Sequence, residues 1–148
     1  MSIRSRNPRR VPIKPPDYQT LAEFRYQIAV FLHRRREAAE KAGLEAQQYE
    51  VLLAVKGLPK DKPPTIKQIA EQLQIQHHSA VELTSRMVKR GLIRRQKSSR
   101  DKRLVLLVVT KSGEKAAEQV ARYGFRQLKV EAPGLLKTLD RLITAKVK

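Results

Sequence analysis

The sequence predicts a mostly α-helical chain with one small β-hairpin, and three observations lead there. Apolar residues recur at helical spacing over most of the length. Near the middle, a short capped segment and a second amphipathic segment are separated by only three or four residues, the spacing of a helix-turn-helix. Directly after them the period changes, and a continuous β-branched run appears at 104–109.

Taken in order, residues 1–16 hold Arg4, Arg6, Arg9, Arg10 and Lys14 with no acid, and Pro8, Pro12, Pro15 and Pro16 as well. Like charges and prolines keep such a stretch extended, so it reads as a basic disordered arm. It either follows a phosphate backbone or minor groove, or serves as a solubilising tail. Asp17 is the expected N-cap of a first helix, on which Leu21, Phe24, Ile28, Phe31 and Leu32 form one stripe and which Gly43 closes. A second helix is expected from about Leu44, with Gln48, Val51, Leu52, Val55 and Leu58 on one side and a stop at Gly57 and Pro59. Thr65 and Gln68 have capping-box spacing and open a short third helix carrying Ile66, Ile69, Ala70 and Leu73.

A fourth helix is expected from Gln76, with Ala80, Leu83, Thr84, Met87 and Val88 facing inward and Gly91 ending it. Leu92 and Ile93 begin a strand, 104–109 supplies its partner, and the intervening tip is basic. Thr110 is the expected cap of a fifth helix. Pro133 is expected to open a sixth, in which Leu135, Leu136, Leu139, Leu142 and Ile143 recur at helical spacing. The division that follows is an arm at 1–16 and one domain at 17–148, with a helix-turn-helix and hairpin lobe at 44–112 flanked by helices at 17–43 and 113–148.

Composition narrows the function. The 148 residues are 41% hydrophobic and 31% charged, too apolar for a disordered chain and too interrupted for a membrane span. The start lacks the apolar region of a secretory signal, so a cytoplasmic location is expected. Cysteine is absent, which removes disulfides, thiolate metal sites and thiol redox sensing within the chain. Against 14 acidic residues stand 32 lysines and arginines, a formal charge of +18. That excess attracts polyanions through long-range steering and counterion release, and it serves nucleic acid or an acidic membrane surface equally.

The block at 65–110 places a capped helix, a tight turn, a second helix and a two-stranded ribbon in sequence, the order of a winged helix-turn-helix. Such a module inserts a helix N-terminus into the major groove, where base edges differ, while the ribbon grips neighbouring phosphates. The charge agrees with this use. Between Gln76 and Lys111 ten basic residues face only Glu82 and Asp101, a local balance of +8.

The run LQIQHHSAVELTSRMVKRGLIRR from Leu73 to Arg95, with SSRDKRLVLLVVTKSG from Ser98 to Gly113, resembles the MarR family of transcriptional regulators. The resemblance rests on Lys89-Arg90-Gly91-Leu92-Ile93 after the recognition helix, Asp101-Lys102-Arg103 in the wing, and Val109-Thr110-Lys111-Ser112-Gly113 beyond it. Gln48-Tyr49 ahead of an apolar helix fits as well; the flanking helices agree by architecture only. The fold implied is a winged helix-turn-helix with flanking dimerisation helices.

By that resemblance Arg103 is the wing arginine that enters the minor groove, and Asp101 is the carboxylate that orients it. Asp101 also suits a polar loop simply as a turn-former. The recognition positions implied are Gln76, His77, His78, Ser79 and Glu82, with Arg86 further along the helix and Arg94, Arg95, Lys97, Arg100 and Lys102 on the ribbon. Gln76 is a weaker N-cap than Ser, Thr or Asp. Leu21, Phe24, Ile28, Leu135, Leu139 and Leu142 are the candidate dimer contacts, with intramolecular core as the alternative. The stretch after Gly113 is short for the family pattern, which leaves the dimer geometry open.

His77 and His78 point about 100° apart on a helix and cannot share a metal ion, so no metal or cofactor is expected. No phosphate-binding loop, nucleophile elbow or zinc-protease motif supports an enzyme. The expected partners are double-stranded DNA, a second copy of the chain and a small-molecule effector; no membrane is expected. Expected above all is a sequence-specific repressor on a pseudo-palindromic operator. The alternatives are a sequence-tolerant architectural DNA-binding protein and a winged helix used for protein contacts.

Overall fold

A computed structural model describes residues 10–147, so Arg4, Arg6 and Arg9 of the basic arm lie outside the described residues. The elements are α1 (Pro15–Lys41), α2 (Ala46–Gly57), α3 (Ile66–Leu73), α4 (His77–Lys89), β1 (Ile93–Lys97), β2 (Val105–Val109) and α5 (Lys111–Thr144). This is the mostly helical, single-hairpin architecture expected, and its middle portion is a winged helix-turn-helix.

Two expectations about helix ends need correction. Asp17 is not the N-cap of α1. The helix starts at Pro15, and the Asp17 carboxylate reaches back to accept the backbone N–H of Lys14 at 2.8 Å. Two prolines assigned to the arm therefore belong to the helix, where a preset φ fits and a missing N–H costs nothing in the first turn. Pro133 does not open a sixth helix either. It lies inside α5, which continues from Lys111 to Thr144. Proline's φ is itself helical, so the loss of one N–H removes a rung of the ladder while helix-forming neighbours carry the backbone through.

The capping box also falls elsewhere than expected. Thr65 Oγ1 accepts the Gln68 N–H at 3.3 Å, which is half of the box. The reciprocal arrangement opens α2, where Gln48 Oε1 accepts the Glu45 backbone N–H at 3.0 Å.

The described residues divide into two compact units, one of 10–32 with 127–147 and the other of 33–126. In the second unit, Val51 and Leu52 of α2, Ile69 of α3, Met87 of α4, Ile93 of β1 and Leu107 of β2 are fully buried. Ala39 and Val120 close this core at its edges. The α3–α4 turn is only Gln74, Ile75 and Gln76, with Gln74 in the left-handed region at φ 53°.

The strands pair antiparallel with Ile93 opposite Val109 and Lys97 opposite Val105. The Leu107 N–H donates to the Pro64 carbonyl at 2.9 Å and ties the ribbon to the entrance of α3. Behind the ribbon, Thr110 Oγ1 accepts the Gly113 N–H at 3.1 Å, the cap expected for the following helix. Gly113 itself is required by proximity: a β-carbon there would lie 2.2 Å from the Leu92 carbonyl oxygen. Lys56 of α2 pairs with Glu114 in the first turn of α5.

The first unit is thinner. Its stretches of α1 and α5 bury Thr138 completely, while Tyr18, Tyr26, Val130, Leu136 and Ile143 stand in solvent.

Candidate nucleic-acid interface

The fourth helix is held by one face. Ala80, Leu83, Thr84 and Met87 are buried, and the 3.6-residue period then turns His78, Glu82, Arg86 and Lys89 outward. His77 is exposed as well, and Ser79 is half-buried. Gln76 occupies the N-cap in an extended conformation but makes no side-chain cap. The first-turn N–H groups thus keep donors free for an acceptor from outside, and the helix dipole favours an anionic one.

The first strand of the ribbon is exposed on both faces beyond its first residue. Ile93 is buried and Arg94, Arg95, Gln96 and Lys97 are exposed. Arg95 Nη2 donates to Ser85 Oγ at 3.0 Å, so the outer surface of β1 adjoins the exposed stripe of α4. Ser85 was not among the residues singled out from sequence. Its position three residues after Glu82, on the same helical face, was the signal available. Arg94 Nη1 donates to Gln96 Oε1 at 2.8 Å.

At the tip the Ser98 hydroxyl accepts the Asp101 N–H at 3.2 Å, and the Ser98 N–H closes on the Leu104 carbonyl at 3.0 Å. Asp101 Oδ1 accepts the backbone N–H of Arg103 at 3.0 Å and its Nε at 3.1 Å, while Oδ2 accepts Nη2 at 3.2 Å. The carboxylate is therefore a turn-former and an arginine partner at once, and the two readings left open by the sequence coincide. The hydrogen bonds from Arg103, side chain first and backbone second, hold the Asp101 carboxyl below its ordinary pKa. The Arg103 side chain remains 90% exposed, with its fork oriented but uncovered. Arg100 and Lys102 flank it in solvent.

These placements bring His78, Glu82 and Arg86 onto one exposed helix face, leave Gln76 and His77 exposed at its N-terminal end, and put Arg94, Arg95 and Lys97 on the neighbouring ribbon. The dimer candidates present a different picture. Leu21 and Ile28 are exposed, and Phe24, Leu135, Leu139 and Leu142 are half-buried, so none is sealed within the single chain. No group of three or more metal-binding side chains occurs among the described residues, and no helix there is long and apolar enough to cross a membrane.

Comparison with known proteins places this geometry. Residues 42–104 match the MarR family model. No curated protein sequence matches the chain. Among solved structures, the chain is similar to AbsC, a MarR family transcriptional regulator from Streptomyces coelicolor, at 18% identity and a TM-score of 0.71, covering 90% of this chain and 93% of that one. A mutant of S. aureus MepR bound to an oligodeoxyribonucleotide matches at 19% identity and a TM-score of 0.62, with 86% and 96% covered. CouR from Rhodococcus jostii RHA1, bound to p-coumaroyl-CoA, matches at 17% identity and a TM-score of 0.61, with 81% and 89% covered. The family model covers α2, α3, α4 and β1 and stops before β2, and the folds agree over most of each chain: this protein has the winged helix-turn-helix fold of MarR family structures.

Proposed function

We propose that the chain is a sequence-specific double-stranded DNA-binding repressor that acts as a homodimer on a pseudo-palindromic operator. The observation that carries this reading is the adjoining of two exposed surfaces, the outer stripe of α4 and the basic face of β1, joined by the Arg95–Ser85 hydrogen bond. In it, the uncapped start of α4 enters a major groove and Gln76, His77, His78, Ser79 and Glu82 meet base edges. Gln suits adenine, and Glu82 accepts from cytosine. Arg86, Arg94, Arg95, Lys97, Arg100 and Lys102 follow the phosphates. Arg103, its fork held by Asp101, enters the adjacent minor groove, where a narrow A·T-rich tract concentrates negative potential.

The apolar residues left uncovered on α1 and α5 support a dimer, as does the relationship to the MarR family. Leu21, Phe24, Ile28, Leu135, Leu139 and Leu142 are its proposed contacts. Two recognition helices in such a dimer read half-sites about 34–36 Å apart. A cleft of about 430 Å³ beside α2 and the start of α5, lined by Tyr49, Leu53, Lys56 and Ala117 among others, is the proposed seat of a small-molecule effector. The effector releases DNA by preferring one arrangement of the protein over another. The CouR complex supplies the precedent for a ligand on this fold.

Selection of bound fragments from the source genome, followed by affinity measurement at fixed salt, tests the reading. The expected result is one or a few pseudo-palindromic sites bound about 10³-fold or more tightly than random duplex. A ratio below about tenfold identifies a sequence-tolerant coating protein instead. Arg103→Ala is expected to weaken operator binding by about 1–3 kcal/mol, and unchanged affinity removes the arginine from the interface.

A further inference from the structure

The ten basic residues between 76 and 111 do not all face outward. Arg90, the last residue before the Gly91 turn and the C-cap of α4, is exposed, yet its head turns back against the lobe. Its Nη1 donates to Gln48 Oε1 at 2.7 Å, and its Nη2 donates to the Gly43 carbonyl at 2.6 Å. Gln48 is only 1% exposed, and the same Oε1 accepts the Glu45 N–H at 3.0 Å, so both of its lone pairs are used. One guanidinium thereby joins three helix ends: the exit from α1, the first turn of α2 and the C-terminus of α4. Only arginine's fixed fork satisfies two acceptors in this way, since a lysine head is a point charge without the planar geometry.

We infer that Arg90 is a positioning residue for DNA recognition, acting through Gln48 to set the pitch of α4 without touching DNA. The end of α4 that is anchored is the one opposite the end that reads bases. Thirteen helical residues span about 20 Å, so a tilt of about 3° at the anchored end carries the first turn through about 1 Å. That displacement exceeds the tolerance of a directed hydrogen bond to a base edge. The inference rests on the proposed DNA-binding function.

The test uses the full chain and, as probe, a duplex selected from a random pool by the wild-type protein, with the active fraction titrated for each variant. Arg90→Met and Gln48→Met are each expected to weaken binding by roughly 3- to 30-fold. The double variant is expected to be no weaker than the worse single one, because both changes remove the same joint. The slope of log affinity against log salt is expected to stay that of the wild type in all three, since no phosphate contact is lost. Gln48→Glu keeps acceptors for both donors and is expected to bind as the wild type does, whereas Arg90→Lys falls with Arg90→Met. A salt slope reduced by about one in Arg90→Met, with Gln48→Met binding normally, overturns the inference and makes Arg90 a phosphate contact. Wild-type affinity in both methionine variants overturns it equally. Should Gln48→Met fail to fold, Arg90→Met and Arg90→Lys at the surface decide the matter. A wild-type protein that selects no duplex defeats the function itself and this inference with it; selective binding with indifferent variants defeats this inference alone.

Discussion

Residues 33–126 close an apolar core on themselves, whereas the stretches at 10–32 and 127–147, no poorer in apolar residues for their length, leave many of them wet. Leu52, Ile69, Met87, Ile93 and Leu107 each lie at 2% exposure or less, while Tyr26, Leu136 and Ile143 are between 62% and 82% exposed. Hydrophobicity is not what separates the two regions. In the first, α2, α3, α4 and the ribbon approach one another from several directions, so each apolar stripe has a facing stripe. In the second, lengths of two helices supply one layer of contact, and a helix stripe wider than its single neighbour stays uncovered. The recognition elements are fixed within one chain. The rest of the apolar surface is left in solvent, the basis of the proposed dimer.

Truncation separates the two regions most strongly. Leu52→Ala is expected to destabilise the fold by about 2–5 kcal/mol through a cavity the lobe cannot collapse. Leu136→Ala, at a site already in solvent, is expected to cost less than about 0.5 kcal/mol in dilute protein. Chemical denaturation of both variants gives the numbers, and a comparable loss at Leu136 in dilute protein means that its side chain is already covered within one chain. A smaller effect sharpens the same contrast. If the wet residues pair with a second copy, the melting temperature of the wild type rises with protein concentration, by mass action on a folded state that binds itself. Melting curves over a hundredfold range of concentration are expected to show that rise, and coincident curves break the dimer assignment.

The smallest expected effect is at the wing tip. The Arg103 hydrogen bonds depress the Asp101 pKa, so the paired tip is at full strength above the carboxyl's unfolded value and is lost as pH falls through the lower, folded one. Operator binding is therefore expected to show no Asp101-linked change near neutrality. A carboxyl-carbon NMR titration is expected to place the Asp101 midpoint lower in the wild type than in Arg103→Ala. Equal midpoints indicate that the pair does not persist in solution.

Much of the interface could be read before any coordinates. The helical period alone separated Ala80, Leu83, Thr84 and Met87 from His78, Glu82 and Arg86, because which face is buried follows from spacing. Thr110 and Gly113 announced the turn behind the ribbon, although only the 2.2 Å approach to Leu92 explains why the second must be glycine. Pro133 misled, since a residue that favours a helix start is also tolerated within a helix when its neighbours sustain the ladder. Arg90 and Gln48 stood in the motifs that carry the family resemblance, but nothing in the sequence marked them as partners. Their contact joins positions 42 residues apart, and no local period encodes it.

Local chemistry thus settled which segments are helices or strands, which face of each is wet and where positive charge accumulates. These depend on neighbours a few residues away and on side-chain type. The folded chain decided where helices continue past a proline, that Asp101 both shapes its turn and holds Arg103, and that one of the ten basic residues between 76 and 111 turns its head back onto α2 and the end of α1. Those outcomes depend on distances between atoms far apart in sequence, which only the packing of the core brings within reach of a hydrogen bond.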